Sequence, residues 1–372
     1  MNRFLVGDAV PWFQCQSSTN PKFNFNSIAG RYVVLTFFGS AGNEKAFKVL
    51  SFFRQQIRDK FNDSHLCFFG VSIDPQDIEL KRVQDMIPGI RFFWDFDFQV
   101  SNLYGALQSS QDNIIGYAPF TLILDPSLRV IGNIPLVDAD SHNRSIEQII
   151  HQLPSVDDYA QVPLCAPILI VPRVFEPEFC RLLINLYNEN GGNESGFMRE
   201  RDGKTIGIQD HNFKKRKDYN IESEDVKTGI RQRLSRRLVP EIAKAYQFQV
   251  TRIERYIVAC YDSNSGGFFR PHRDNTTNGT AHRRFAVTIN LNAEEYEGGN
   301  LRFPEFGSKT YRAPTGGAVV FSCSLLHEAT PVTKGTRYAT LPFLYDDEGA
   351  KIREANQQFL ANQVINLNKS KT

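Results

Sequence analysis

The stretch Tyr32 to Gly39, YVVLTFFG, is a continuous apolar run. A strand with no polar alternation has no wet face, so it reads as a central strand of a sheet covered on both sides. The segment behind it, Glu44 to Phe61, changes period. Phe47, Leu50, Phe53, Ile57 and Phe61 fall on one helical stripe. LCFFGVSID is the next strand, PFTLILDPSLRVIGNI a hairpin around Pro-Ser, and RSIEQIIHQL a closing helix. Residues 1–153 therefore alternate strands and helices as an α/β domain does. PSVDDYAQVPLCAP, residues 154–167, carries three prolines and reads as a linker.

The remaining length supports a second core. The chain has 372 residues, 41% of them hydrophobic, which suits two packed domains. Net charge is +2, so nothing global draws the chain to nucleic acid or membrane. No run approaches the ~18 apolar residues of a membrane span. The opening MNRFLVGDAVPWFQ lacks a long apolar core with a small-residue cleavage site, so no signal peptide is expected. Six cysteines are scattered without a Cys-x-x-Cys, three of them (Cys67, Cys260, Cys323) in apolar strand-like contexts. They read as reduced thiols of a cytoplasmic protein.

In the second half, Glu176 to Asn190 is an amphipathic helix with Phe179, Leu182, Leu183 and Leu186 inward. Lys227 to Tyr246 is another, with Ile230, Leu234, Leu238 and Ile242 as its stripe. Residues 191–220 between them are Gly-rich, charged and weakly apolar, a candidate substrate-covering loop. The run Lys214-Lys215-Arg216-Lys217, with Arg231, Arg233, Arg236 and Arg237, could serve nucleic acid. Charge runs are more often solvated faces, and Asp210, Asp218, Glu222, Glu224 and Asp225 lie close by, so nucleic acid is not an expected partner.

The chemistry concentrates at His272-Arg273-Asp274 and His327. Two imidazoles and one carboxylate can occupy one face of six-coordinate Fe(II), leaving the other face for a chelating co-substrate and O2. Residues two apart on a strand point the same way, so His272 and Asp274 can converge. His327 arrives from a distant strand. Past it sits Arg337, a fixed cation suited to a bidentate grip on a carboxylate.

From Pro167 to Tyr345 the chain resembles the prolyl 4-hydroxylase-like branch of the Fe(II)/2-oxoglutarate oxygenases. The resemblance rests on Tyr261, Gly266, Phe269, Pro271, His272 and Asp274, on TINLNAEEYEGGNLRF, and on PTGGAVVFSCSLLHEATPVTKGTRYATLPFLYD. It implies a mainly β double-stranded β-helix, or jelly roll, with bracing helices over residues 168–347, followed by a C-terminal helix and tail over 348–372. It implies His272, Asp274 and His327 as iron ligands, Arg337 as partner of the distal carboxylate of 2-oxoglutarate, and Tyr261 as a hydroxyl donor to it. Asn290 departs from the family, which often has Tyr there, so part of the co-substrate pocket is remodelled. His282 is a weak further metal candidate, read as substrate-facing or structural. Arg283 and Arg284 are candidates for an anionic substrate group.

Residues 1–153 resemble the peroxiredoxin branch of the thioredoxin fold through VGDAVPWF, IAGRYVVLTFFGSAG, VSID, FDFQVSNLYG and LILDPSLRVIG. Gly39, Asn43 and Ala46 stand where that family has Pro, Thr and the peroxidatic Cys. Pro119 stands near the family's Arg, and Ala118-Pro119 resembles the thioredoxin-type cis proline. Without a thiolate there is no nucleophile for peroxide. The expected whole is an Fe(II)- and 2-oxoglutarate-dependent dioxygenase using O2, with ascorbate supportive, acting on an unidentified peptide, protein or small molecule. The alternative is a redox or sensor protein whose first domain carries thiol chemistry.

Overall fold

The computed structural model describes residues 4–109 and 115–368. It divides into two units, Met1–Cys165 with Pro304–Ser308, and Ala166–Phe303 with Lys309–Thr372. No helix among the described residues is long and apolar enough to cross a membrane.

The first unit is built on a seven-stranded sheet in the order Phe23–Asn24, Gln14–Ser17, Ile90–Trp94, Leu66–Ser72, Tyr32–Gly39, Phe120–Leu124, Val130–Pro135. Tyr32–Gly39 is buried along its whole length, as its apolar run requires. It pairs parallel with Leu66–Ser72 and antiparallel with Phe120–Leu124. This is the thioredoxin-like α/β arrangement that the sequence implies. The stripe proposed for Glu44 to Phe61 needs one correction. Helix Glu44–Ser51 turns Ala46, Val49 and Leu50 inward and leaves Phe47 59% exposed. A wider π-type turn, Phe52–Gln56, then shifts the phase, so Phe53, Ile57 and Phe61 rejoin the core. The cis proline expected at Ala118-Pro119 is not there; the cis bond among the described residues is Ile87–Pro88. Most of the stretch expected as a linker belongs to this unit, where Val156 and Tyr159 pack on the core.

The second unit is two facing sheets. The larger runs Leu169–Val171, Ala318–Ser322, Phe285–Asn290, Thr336–Thr340, Ile257–Asp262, Lys217–Asn220, Asn193–Glu194. The smaller runs Lys214–Lys215, Phe268–His272, His327–Ala329, Leu301–Arg302, Thr310–Tyr311. Strand Ile257–Asp262 shows how the layers form. Ile257, Ala259 and Tyr261 pack with Phe269, Ala329 and Val332 between the sheets. Val258 points the other way, onto the bracing helices. Those helices are Pro177–Asn190, Glu224–Arg237 and Val239–Tyr246, the last two divided near Pro240. Ile230, Leu234, Leu238 and Ile242 are buried as the pattern predicts, but Leu182 is 44% exposed, and Cys180, Ile184 and Tyr187 complete the inner face instead.

Two irregular-looking segments are ordered as strands. Residues 191–220, expected as a loop, contain the hairpin Phe197–Arg201 and Lys204–Gln209. The C-terminal segment, expected as helix and tail, is helix Asp347–Ala355 followed by strand Leu360–Asn366, which pairs parallel with Lys204–Gln209.

Candidate metal centre

His272 ends strand Phe268–His272 and His327 begins strand His327–Ala329; the two are partners in the antiparallel register. The register shifts between Phe269 and His272, next to Pro271, which has no N–H for the ladder. Asp274 lies just past the strand, held by its N–H to the Cys323 carbonyl at 2.9 Å. The three ligating groups lie within 4.8 Å of one another. His272 Nε2 is 3.6 Å from Asp274 Oδ1, and His327 Nε2 is 3.3 Å from Asp274 Oδ2. Ligand atoms about 2.1 Å from one cation at right angles stand roughly 3 Å apart, so the cluster has the size of a single transition-metal site.

The protonation states fit as well. Nδ1–H of His272 donates to the Arg270 carbonyl at 2.7 Å and Nδ1–H of His327 to the Leu325 carbonyl at 3.0 Å, which leaves both Nε2 lone pairs facing Asp274. Burial, then the neighbouring His327, pushes the His272 imidazole well below its ordinary value, so it is neutral at neutral pH. Burial pushes Asp274 up, but the neighbouring His327, His272 and Arg283 outweigh it and hold the carboxyl below its ordinary range. Phe269 stacks on His272 at 3.5 Å between ring centroids, and Phe321 meets His327 edge-on at 4.6 Å, so apolar rings wall the centre.

Arg337 and Tyr261 are cross-strand partners between the sheets. Arg337 is 2% exposed, lies 4.9 Å over the Tyr261 ring, and has Nε and Nη1 buried without a hydrogen-bond partner. A buried guanidinium with orphaned donors is costly unless an anion completes it. A planar carboxylate matches that need. The Gly-Gly turn shapes this space. Gly299 has φ +62°, and a Cβ there would come within 2.8 Å of Val332 Cγ2 and 3.2 Å of Arg337 Cδ.

The sequence reading missed a buried polar layer beside these residues. Lys214 and Arg216 are 4% and 5% exposed, not solvated; the run alternates as a strand does, with Lys215 and Lys217 outward. Arg216 grips Asp218 with Nε at 2.7 Å and Nη2 at 2.6 Å, and donates from Nη1 to the Tyr261 hydroxyl oxygen at 3.4 Å. Burial raises Asp218, yet Arg216 and Lys214 bring it down to about 2. Lys214 Nζ donates to Ser195 Oγ at 2.8 Å and Gly196 O at 2.6 Å, 4.7 Å over the Phe269 ring. Period-two alternation at 214, 216 and 218 was the available signal.

Other expectations resolve differently. His282 and Arg283 both bind Glu254, at 2.7 Å and 2.6 Å, and Arg283 lies over Phe343. They form a buried structural cluster, and His282 stands apart from the ligand triad. Arg284 pairs with Asp346 at 3.8 Å. Asn290 donates from Nδ2 to the Ala313 carbonyl at 2.6 Å and accepts from the Tyr296 hydroxyl at 3.4 Å. In the first unit, Asn43 caps helix Glu44–Ser51 through Lys45 and Ala46 N–H, and Ala46 places a buried methyl in that first turn. Burial pushes the Cys15 and Cys67 thiols up to about 12.

Residues 256–345 match the model described as 2OG-Fe(II) oxygenase superfamily, and residues 6–132 match that of the AhpC/TSA family. A PKHD-type hydroxylase of Synechococcus sp. is 30% identical over 98 residues, covering 25% of this chain and 43% of the relative. Procollagen-lysine,2-oxoglutarate 5-dioxygenase 1 of Mus musculus is 33% identical over 114 residues, covering 29% and 15%. The chain spans less than half the length of these curated relatives. Among solved structures, a Trichoplax adhaerens prolyl hydroxylase in complex with a hypoxia inducible factor peptide has TM-score 0.40 at 17% identity, covering 59% of this chain and 97% of that one. Peroxidoxin BcpB of Mycobacterium tuberculosis has TM-score 0.35 at 19% identity, covering 41% and 100%. The chain thus pairs a match to the 2OG-Fe(II) oxygenase superfamily over residues 256–345 with a match to the AhpC/TSA family over residues 6–132.

Proposed function

We propose that the chain is an Fe(II)- and 2-oxoglutarate-dependent dioxygenase that hydroxylates a peptide or protein residue, without thiol peroxidase activity in its first unit. The observation that carries this reading is the pairing of a compact His272–Asp274–His327 cluster with the orphaned buried guanidinium of Arg337. His272, Asp274 and His327 would hold Fe(II) through two imidazole nitrogens and a carboxylate. When bound, Fe(II) with 2-oxoglutarate and O2 supplies the oxidant that turns C–H into C–OH, releasing succinate and CO2; ascorbate keeps the metal reduced.

The chain's own residues do the positioning. Arg337 receives the distal carboxylate of 2-oxoglutarate. Tyr261 donates its hydroxyl proton to the same group, because Arg216 already occupies the Tyr261 oxygen as donor. Phe269 and Phe321 keep water from the ligands. The relative that acts on procollagen lysine favours a peptidyl substrate over a free metabolite. The buried thiols of Cys15, Cys67, Cys180 and Cys323 favour a reducing compartment such as the cytoplasm. Anaerobic addition of Fe(II) and then 2-oxoglutarate tests the reading. A visible charge-transfer absorption that needs both components is expected, and its absence with iron bound would overturn the proposal.

A further inference from the structure

Hairpin strand Phe197–Arg201 presents Phe197 and Arg199 on one face, two positions apart. Phe197, Phe213 and Phe269 form a continuous aromatic wall, with ring centroids 4.5 Å apart for Phe197–Phe213 and 5.7 Å for Phe213–Phe269. That wall ends on His272, on which Phe269 stacks. The Arg199 guanidinium lies 5.3 Å over Phe197 and 5.1 Å over Phe213. No acid answers it. Glu194 takes His211, Glu200 takes Asn278 and Thr205, Asp202 takes Arg201, and Asp218 takes Arg216. Burial with no opposing acid weakens its hold on its proton. Lys214, on the same wall at Phe269, hydrogen-bonds Ser195 Oγ and Gly196 O and is balanced by nearby Asp218. Beside the metal centre, the Arg199 guanidinium thus stands without an opposing acid among the described residues. Arg337 lies on the larger sheet, beside Tyr261, and is already assigned to the co-substrate.

We propose that Arg199 is a specificity-determining residue that pairs with a carboxylate on the prime substrate, so that the enzyme selects an acidic substrate. This rests on the oxygenase reading above. A guanidinium lying over two adjacent phenyl rings keeps its edge for a planar partner and meets a carboxylate in two parallel N–H···O bonds. The carboxylate can be an Asp or Glu side chain near the oxidised residue, or a free C-terminal carboxylate.

The test uses the full-length chain with Fe(II), 2-oxoglutarate and matched synthetic decapeptides bearing both proline and lysine. One pair differs by Glu against Gln beside those residues, and another by a free against an amidated C-terminus. The readout is peptide-dependent succinate release. The Glu or the free-carboxylate peptide is expected to exceed its neutral partner at least tenfold in kcat/KM, and the pair that responds identifies the source. Arg199→Gln should bring that ratio to near one, Arg199→Lys should retain part of it, and Arg199→Glu should favour a lysine-flanked peptide. Because each ratio is taken within one variant, a general loss of activity does not affect it. Equal use of acidic and neutral peptides, a ratio unchanged in Arg199→Gln, or no stimulation by any carboxylate peptide would overturn the assignment. Peptide-free succinate release by the unaltered chain reports separately on the oxygenase reading, and only its loss counts against that.

Discussion

His272 and His327 face each other across adjacent antiparallel strands with ring centroids 4.3 Å apart, each pinned at Nδ1 by a backbone carbonyl. The backbone therefore fixes which nitrogen of each ring is free before any metal arrives. This preorganisation sets the expectations below.

Removing a ligand should cost the metal and little else. His272→Ala or Asp274→Ala is expected to lower Fe(II) affinity by more than the 10–100-fold typical of losing an outer partner alone. Metal analysis of the purified variants checks it, and full occupancy in Asp274→Ala would contradict the ligand assignment.

Arg337→Ala should leave iron binding intact and raise the 2-oxoglutarate requirement. Loss of one partner from a buried charge-assisted pair costs roughly 2–5 kcal/mol, about thirtyfold or more in apparent affinity. An unchanged 2-oxoglutarate titration would mean that another cation takes the carboxylate.

Gly299→Ala forces a side chain onto a positive-φ position and against Val332 and Arg337. The expected cost is about 1–3 kcal/mol in stability. A rise in the 2-oxoglutarate KM should accompany it, because the Arg337 stem must move. Chemical denaturation and a co-substrate titration read the two effects separately.

The Arg216–Asp218 pair predicts an acid dependence. Asp218 is depressed in the fold to about 2, so its contribution is present above the unfolded carboxylate value and is lost as pH falls toward 2. A shift of this size is worth about 2 kcal/mol. Asp218→Asn should flatten stability between pH 4 and pH 2, and should destabilise by about 3–5 kcal/mol at neutral pH by leaving Arg216 buried without its partner. Urea midpoints across pH measure both.

What was legible in the sequence follows from which signals are local. His272, Asp274, His327, Arg337 and Tyr261 stand out by identity and spacing, but Asp274 lies just past its strand and Tyr261 meets Arg337 through the antiparallel register of two distant strands. The apolar run at Tyr32–Gly39 and the stripe Ile230, Leu234, Leu238, Ile242 gave the layers. Lys214 and Arg216 were hidden because four consecutive cations look solvated, and only their pairing with Phe269 and Asp218 reveals burial. Phe47 and Leu182 were misplaced because a π-type turn and the choice of helix face depend on tertiary packing. Strand Leu360–Asn366 could not be foreseen, since its partner Lys204–Gln209 lies far away in the chain.

The most direct measurement is succinate formed against 2-oxoglutarate consumed by the full-length chain in air, with Fe(II) added after complete metal removal. The account predicts one succinate per 2-oxoglutarate, strictly dependent on Fe(II), with none from Asp274→Ala. Consumption without succinate, succinate without iron, or no turnover by an iron-loaded chain would contradict it.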